Sequence, residues 1–194
     1  TTIRIVGEKL GSLIGQQIIV VNQPGASGAV AAKAALSAPA DGYTLAMLTN
    51  GTAISAALTD KLPFDPIKDF QPISSLGYFD FVFLVGGDSE MKSLGDFIAA
   101  AKAKPGMLNI GTINVGSTQN LSAVLFRRLA GIDCAVVPFK TTPDVLTATL
   151  RKDVQLSVDG YAAVKRMLSD GKIRVLATSG TRRLAALPDV PTVQ

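Results

Sequence analysis

The feature that most restricts the fold is an alternation, from Ser93 onward, of short apolar runs with segments of helical period. Ser93 is placed to cap a helix from Leu94 to Ala103, with Asp96 in its first turn. Pro105-Gly106 then turns the chain into a strand, Leu108 to Gly111. The loop Thr112 to Gly116 leads to a helix capped by Ser117 or Thr118 and running to Leu129. Ala135 to Pro138 predicts a strand, Thr142 to Leu150 a helix and Val154 to Val158 a strand. Ala162 to Ser169 predicts a helix stopped by Gly171, and Ile173 to Ala177 a last strand. Short strands separated by helices imply a mainly parallel sheet with helices on both faces.

The first part of the chain reads less regularly. Ile3, Val6, Leu10, Leu13 and Ile14 share one helical face, and Gly15 ends that helix. Ile18 to Val21 and Tyr43 to Leu48 read as strands, Gly28 to Leu36 and Ala53 to Thr59 as helices. Leu62-Pro63-Phe64-Asp65-Pro66 excludes regular structure, because each proline removes a donor and biases its predecessor to extended geometry. Phe70 to Val85 reads as a long extended run passing from one lobe to another. That favours a two-lobed α/β protein over one large sheet.

Composition removes whole classes of chemistry. Histidine is absent, which excludes Ser-His and Cys-His nucleophile pairs and histidine metal sites. The single cysteine, Cys134, cannot form an intrachain disulfide, and its apolar surroundings mark it as a buried small hydrophobe. A zinc or catalytic metal and an enzymatic role are not expected, since an activated serine at Ser117 or Ser27 would need a lysine base. The net charge of +4 is a slight bias towards anionic partners. Lys and Arg are scattered rather than striped with aromatics, so no nucleic-acid partner is expected. No apolar run approaches the ~18 residues of a membrane span.

In open α/β sheets, ligands sit beyond the carboxyl ends of strands, where helix N-termini aim backbone donors at them. Two loops hold that position with suitable residues: Thr49-Asn50-Gly51-Thr52, and Gly111 through Thr112, Asn114, Gly116, Ser117 and Thr118 to Gln119. Glycine lets a ligand approach the backbone, and Ser and Thr add rotatable donors. Gly111 and Gly116 have the separation of a phosphate-binding loop, but Ser117 stands where its lysine belongs, which argues against nucleotide hydrolysis. Asp159 also ends a strand; it could meet a ligand hydroxyl or ammonium, or cap the next helix. Lys140, a ligand candidate or simply an exposed lysine on a turn, Thr178 to Thr181, and Gly25-Ala26-Ser27-Gly28, an anion nest or a relief of steric crowding before a helix, complete the polar loops.

Several stretches resemble one family. Leu10 to Gly15 with Gln16, then Val20-Val21-Asn22-Gln23-Pro24-Gly25-Ala26-Ser27-Gly28, is similar to an LGQ helix end followed by a VVENRPGAGG-like turn. Ala40-Asp41-Gly42-Tyr43-Thr44-Leu45 resembles PDGYTL, and Lys61 to Phe70 resembles KLPYDPxKDF. Leu187-Pro188-Asp189-Val190-Pro191-Thr192-Val193 matches LPDVPTV. On these motifs the chain resembles the substrate-binding receptors of tripartite tricarboxylate transporters, the Bug receptors.

The resemblance implies a type II periplasmic-binding-protein fold, a two-lobed Venus flytrap that closes over a small carboxylate and docks on membrane subunits of a tripartite transporter. It implies a periplasmic, monomeric protein without a cofactor, the signal peptide lying outside this chain. By position, Thr112, Asn114, Gly116, Ser117, Thr118 and Gln119 resemble the second-lobe contribution to the ligand, and Asn50, Gly51 and Thr52 part of the first. Asp159 falls in the counterpart of an FDN-like stretch. Against the pattern, Ser55-Ala56 replaces Asn-Pro and Asp159-Gly160 replaces Asp-Asn. The chain opens past the family's Pro-x-Gly-Gly loop and stops before its closing segments, so the expected first lobe is incomplete: 1–84, then a second lobe over 85–180 and a returning segment over 181–194. A ligand-sensing effector domain of a regulator is the alternative of similar architecture.

Overall fold

In the computed structural model, which describes residues 2–23, 28–58 and 62–194, the alternation after Ser93 folds as a sheet covered by helices on both faces. The chain divides into two units, Thr1–Tyr78 and Phe79–Gln194. The second contains β1 (Phe81–Gly86), α4 (Leu94–Ala103), β2 (Asn109–Ile113), α5 (Thr118–Ala130), β3 (Ala135–Phe139), α6 (Thr142–Leu150), β4 (Leu156–Gly160), α7 (Tyr161–Ser169) and β5 (Ile173–Thr178). The first contains α1 (Thr2–Ile14), α2 (Ala29–Leu36) and α3 (Asn50–Leu58).

The five strands lie in the order β3-β2-β4-β1-β5. β2 pairs parallel with β3 and β4, while β1 pairs antiparallel with β4 and β5. β1 is thus the single reversed strand, and its side chains alternate between two apolar layers. Phe81, Phe83 and Val85 pack with Phe97 and Ala101 of α4 and Ala123 of α5. Val82 and Leu84 pack with Leu146 of α6 and Val164 of α7. Burial on both faces explains why this strand reads as an unbroken apolar run. The extended run from Phe70 is not ladder throughout: pairing begins at Phe81, and 71–79 are exposed and unpaired. β1 belongs to the second unit because both of its neighbours do.

The starts of α4 and α5 follow their predicted caps, while α6 has one at Thr141 that the sequence did not single out. Ser93 and Asp96 form a reciprocal capping box, with Asp96 N donating to Ser93 Oγ at 3.1 Å and Ser93 N to Asp96 Oδ2 at 2.9 Å. Thr141 accepts from Asp144 N to open α6. The loop after β1 is held by Arg174, whose guanidinium donates to the carbonyls of Gly87 (3.0 Å), Ser89 (3.0 Å) and Met91 (3.3 Å). Residues 181–194 also group with this unit. Thr178 N donates to Pro191 O and Val193 N to Thr178 O, both at 2.9 Å, while Leu187 and Val190 pack on the α7-side core. The Leu187 to Val193 motif therefore covers the carboxyl end of β5's free edge, answering the backbone groups of Thr178.

In the first unit the three helices form as expected in number but not in limits. Asn50, Gly51 and Thr52, read as loop, are the first turn of α3; Thr59 lies outside the described residues. The strands expected at Ile18 to Val21 and Tyr43 to Leu48 are not formed. Both segments lack ladder partners among the described residues, and Ile19, Val21, Tyr43, Leu45 and Met47 are exposed. Apolar alternation predicts extended backbone, but a strand also needs a neighbour to take its N–H and C=O groups. The Leu62 to Phe70 stretch is a self-contained turn. Asp65 accepts from the N–H groups of Ile67 (2.9 Å) and Lys68 (3.1 Å), which hold its carboxyl below the usual range, and Phe64 meets Phe70 edge-on at 5.8 Å. No helix among the described residues is long and apolar enough to cross a membrane.

Candidate functional site

Because β2, β3, β4 and β5 run one way, their carboxyl ends meet the start of β1 on a single rim of the second unit. Helices α5, α6 and α7 begin at that rim, so their free N–H groups gather there. The loop from Thr112 to Gln119 is built by a buried polar chain. Thr112 Oγ1 accepts from Asn120 Nδ2 at 3.1 Å, and Asn120 Oδ1 accepts from Gly116 N at 3.3 Å. Ser117 caps α5 by accepting from Asn120 N at 3.1 Å and donates its hydroxyl to Ile113 O at 2.6 Å. Asn114 donates its N–H to Phe139 O at 2.8 Å and has φ 20, while Gly116 has φ 76. A non-glycine residue in that region is strained backbone of the kind that clusters at binding loops.

Gly111 precedes this loop because nothing larger fits: an added Cβ would lie 2.9 Å from both Ser157 Oγ and Val154 Cγ2. Ser117, Thr118 and Gln119 are half-buried, whereas Asn114 is exposed. Asn120 is a site residue that the sequence reading missed; its signal was its place three residues after the cap.

Asp159 is 2% exposed at the end of β4. Its Oδ1 accepts from Gly160 N at 2.7 Å and Gln119 Nε2 at 3.4 Å, and its Oδ2 accepts from Thr142 Oγ1 at 2.7 Å. It therefore links the first turns of α5 and α6. It does not cap α7, whose N-cap is Gly160 without a side-chain bond. Thr142 is the second residue the sequence did not single out, since it reads only as the start of a helix. Ser179 extends the sheet instead of facing outward: its Oγ accepts from Phe81 N and its N–H donates to Phe81 O, each at 2.9 Å. Lys140 is exposed.

In the first unit, Thr52 is buried and its Oγ1 accepts from Thr49 N at 3.4 Å. An added Cβ on Gly28, the N-cap of α2, would lie 3.4 Å from the same Oγ1, so the starts of α2 and α3 touch. Asn50 is exposed and Gly51 half-buried. Gly25, Ala26 and Ser27 of the nest-like turn lie outside the described residues.

Among the described residues no cluster of His, Cys, Asp or Glu could hold a metal ion. Cys134 is buried, and desolvation pushes its thiol up, which makes it unreactive. The partners of Ser117 Oγ are a carbonyl and an amide, not an amine. Replacing Ser117 by alanine removes both bonds and is expected to destabilise the protein by about 1–2 kcal/mol in denaturant unfolding.

The family described as the tripartite tricarboxylate transporter family receptor matches residues 2–194. The chain belongs to that family. A Cupriavidus necator relative, the UPF0065 protein in the gbd 5' region, is 33% identical over 191 residues, covering 98% of this chain and 58% of that protein. The chain thus spans just over half the length of such relatives. The Rhodopseudomonas palustris protein Rpa4515, solved with adipate, superposes with a TM-score of 0.80 at 31% identity, covering 99% of this chain and 64% of that one. MatC from Rhodopseudomonas palustris, solved with bound malate, gives 0.75 at 30% identity, covering 98% and 65%.

Proposed function

We propose that this chain belongs to an extracytoplasmic receptor that captures a small carboxylate between two lobes and hands it to the membrane subunits of a tripartite transporter. The observation that carries the reading is the rim of the second unit. N–H donors of the Thr112 to Gln119 loop and three helix N-termini converge there, with the exposed Lys140 following β3 and no histidine, a setting suited to an anion held mainly by neutral donors. Family membership supports it, as do the malate and adipate in the structures of MatC and Rpa4515. Asn50, Gly51 and Thr52 would add donors from the first unit, and no catalytic step is involved.

The test is a thermal-shift screen of the full-length protein against succinate, L-malate, adipate and citrate. A ligand at 100 times its Kd adds about 2.7 kcal/mol to stability, a readily measured rise in melting temperature. If no mono-, di- or tricarboxylate raises it, the receptor reading fails.

A further inference from the structure

We propose that Asp159 selects among carboxylate ligands by charge, favouring one that brings a hydroxyl or ammonium to the junction of α5 and α6 and disfavouring one that brings a second carboxylate there. The inference rests on the carboxylate-receptor reading above. Its basis is a buried carboxylate without a cation. The two ion pairs among the described residues, Lys68–Asp65 and Lys152–Asp88, lie elsewhere, and Asp159 is answered only by Gln119, Thr142 and the Gly160 N–H. An ionised carboxylate has about four acceptor positions, so these three donors leave one unfilled.

Asp159 is buried, and part of the cover over its Oδ1 is a single side chain. Gln119 makes the longest of the three bonds, at 3.4 Å, through a flexible half-buried side chain. A ligand donor can displace the Gln119 amide and take its place on Oδ1.

Helix N-termini attract anions, but Asp159 has already placed a negative charge between the first turns of α5 and α6. A ligand carboxylate seated there meets a like charge in a desolvated setting, whereas a hydroxyl or ammonium finds an acceptor. The ligand class that follows is a hydroxy or amino carboxylic acid, with its carboxylate held by the loop amides away from Asp159.

L-malate and succinate differ by one hydroxyl, so their affinity ratio for the full-length protein, measured by calorimetry, reads the selection directly. The wild type is expected to prefer malate by about tenfold, the worth of one hydrogen bond to a charged acceptor. Asp159→Asn should bring the ratio to within about twofold while succinate affinity holds or rises. Equal wild-type affinity for the two acids overturns the proposal without any variant. So does a cooperatively folded Asp159→Asn protein that keeps the wild-type ratio, or that loses both ligands equally, as a scaffold residue would. Binding of neither acid nor any other carboxylate sinks the receptor reading itself; binding without discrimination leaves that reading standing and removes only the role of Asp159.

Discussion

Truncating Phe97 to alanine is expected to cost about 3–5 kcal/mol and to lower the melting temperature by roughly 10–20 °C, the larger of two effects confined to the second unit. Phe97 is fully buried on α4 beneath the sheet. Its ring lies 6.2 Å from that of Phe126 on α5, which in turn lies 5.2 Å from Phe83 on β1. Three elements therefore share a row of aromatic rings, and removing the Phe97 ring at its α4 end opens a cavity in a fully buried layer. Denaturant unfolding followed by circular dichroism measures the loss. Phe97→Leu, which keeps most of the volume, should recover the larger part. A cost for the alanine variant below about 1 kcal/mol would mean that α4 does not belong to the core.

The second effect comes from backbone meeting backbone. Gly87, just after β1, donates its N–H to Lys172 O at 2.8 Å. A Cβ there would overlap the Gly171 carbonyl oxygen and lie 3.1 Å from the carbonyl carbons of Gly171 and Lys172. No rotamer relieves such a clash, because neither party is a side chain. Arg174, bonded to the Gly87 carbonyl, resists a shift of the loop. Gly87→Ala should cost about 3 kcal/mol, at the upper end of overpacking changes, and the loss should appear as a lower denaturant midpoint with an unchanged slope. Near wild-type stability would show that the β1–β5 connection has room the structure denies it.

Apart from β1, whose start was read eleven residues early, the second unit was legible in the sequence to within a residue or two because its elements carry local signals. Ser93, Ser117 and Thr141 cap, Gly171 stops a helix, and Leu94 to Ala103 and Thr142 to Leu150 fall where the pattern puts them. Not legible was the reversal of β1, since apolar residues on both faces look the same in either direction. The first unit failed at its strands for a related reason: Ile18 to Val21 and Tyr43 to Leu48 have the right residues, yet the ladder depends on a partner that local pattern does not report. At the candidate site, glycines and caps marked the Thr112 to Gln119 loop, while the links from Asp159 to Thr142 and Gln119 join positions far apart in the chain. Pattern reading finds the loop; only the register of β4 beside β2 shows what the carboxylate holds.

The position of β1 also bears on how the second unit comes together. The first strand to leave the ribosome in this unit is flanked by the last two, and the bond from Phe81 N to Ser179 Oγ spans 98 positions. Its pairing must wait until β4 and β5 exist, although β2 and β3 can associate earlier across α5. Contacts of such sequence separation slow folding, because the loop they close must be ordered before they reward it. A chain ending before Ile173 would leave the most apolar strand of the unit with an open edge, which is the condition that invites aggregation.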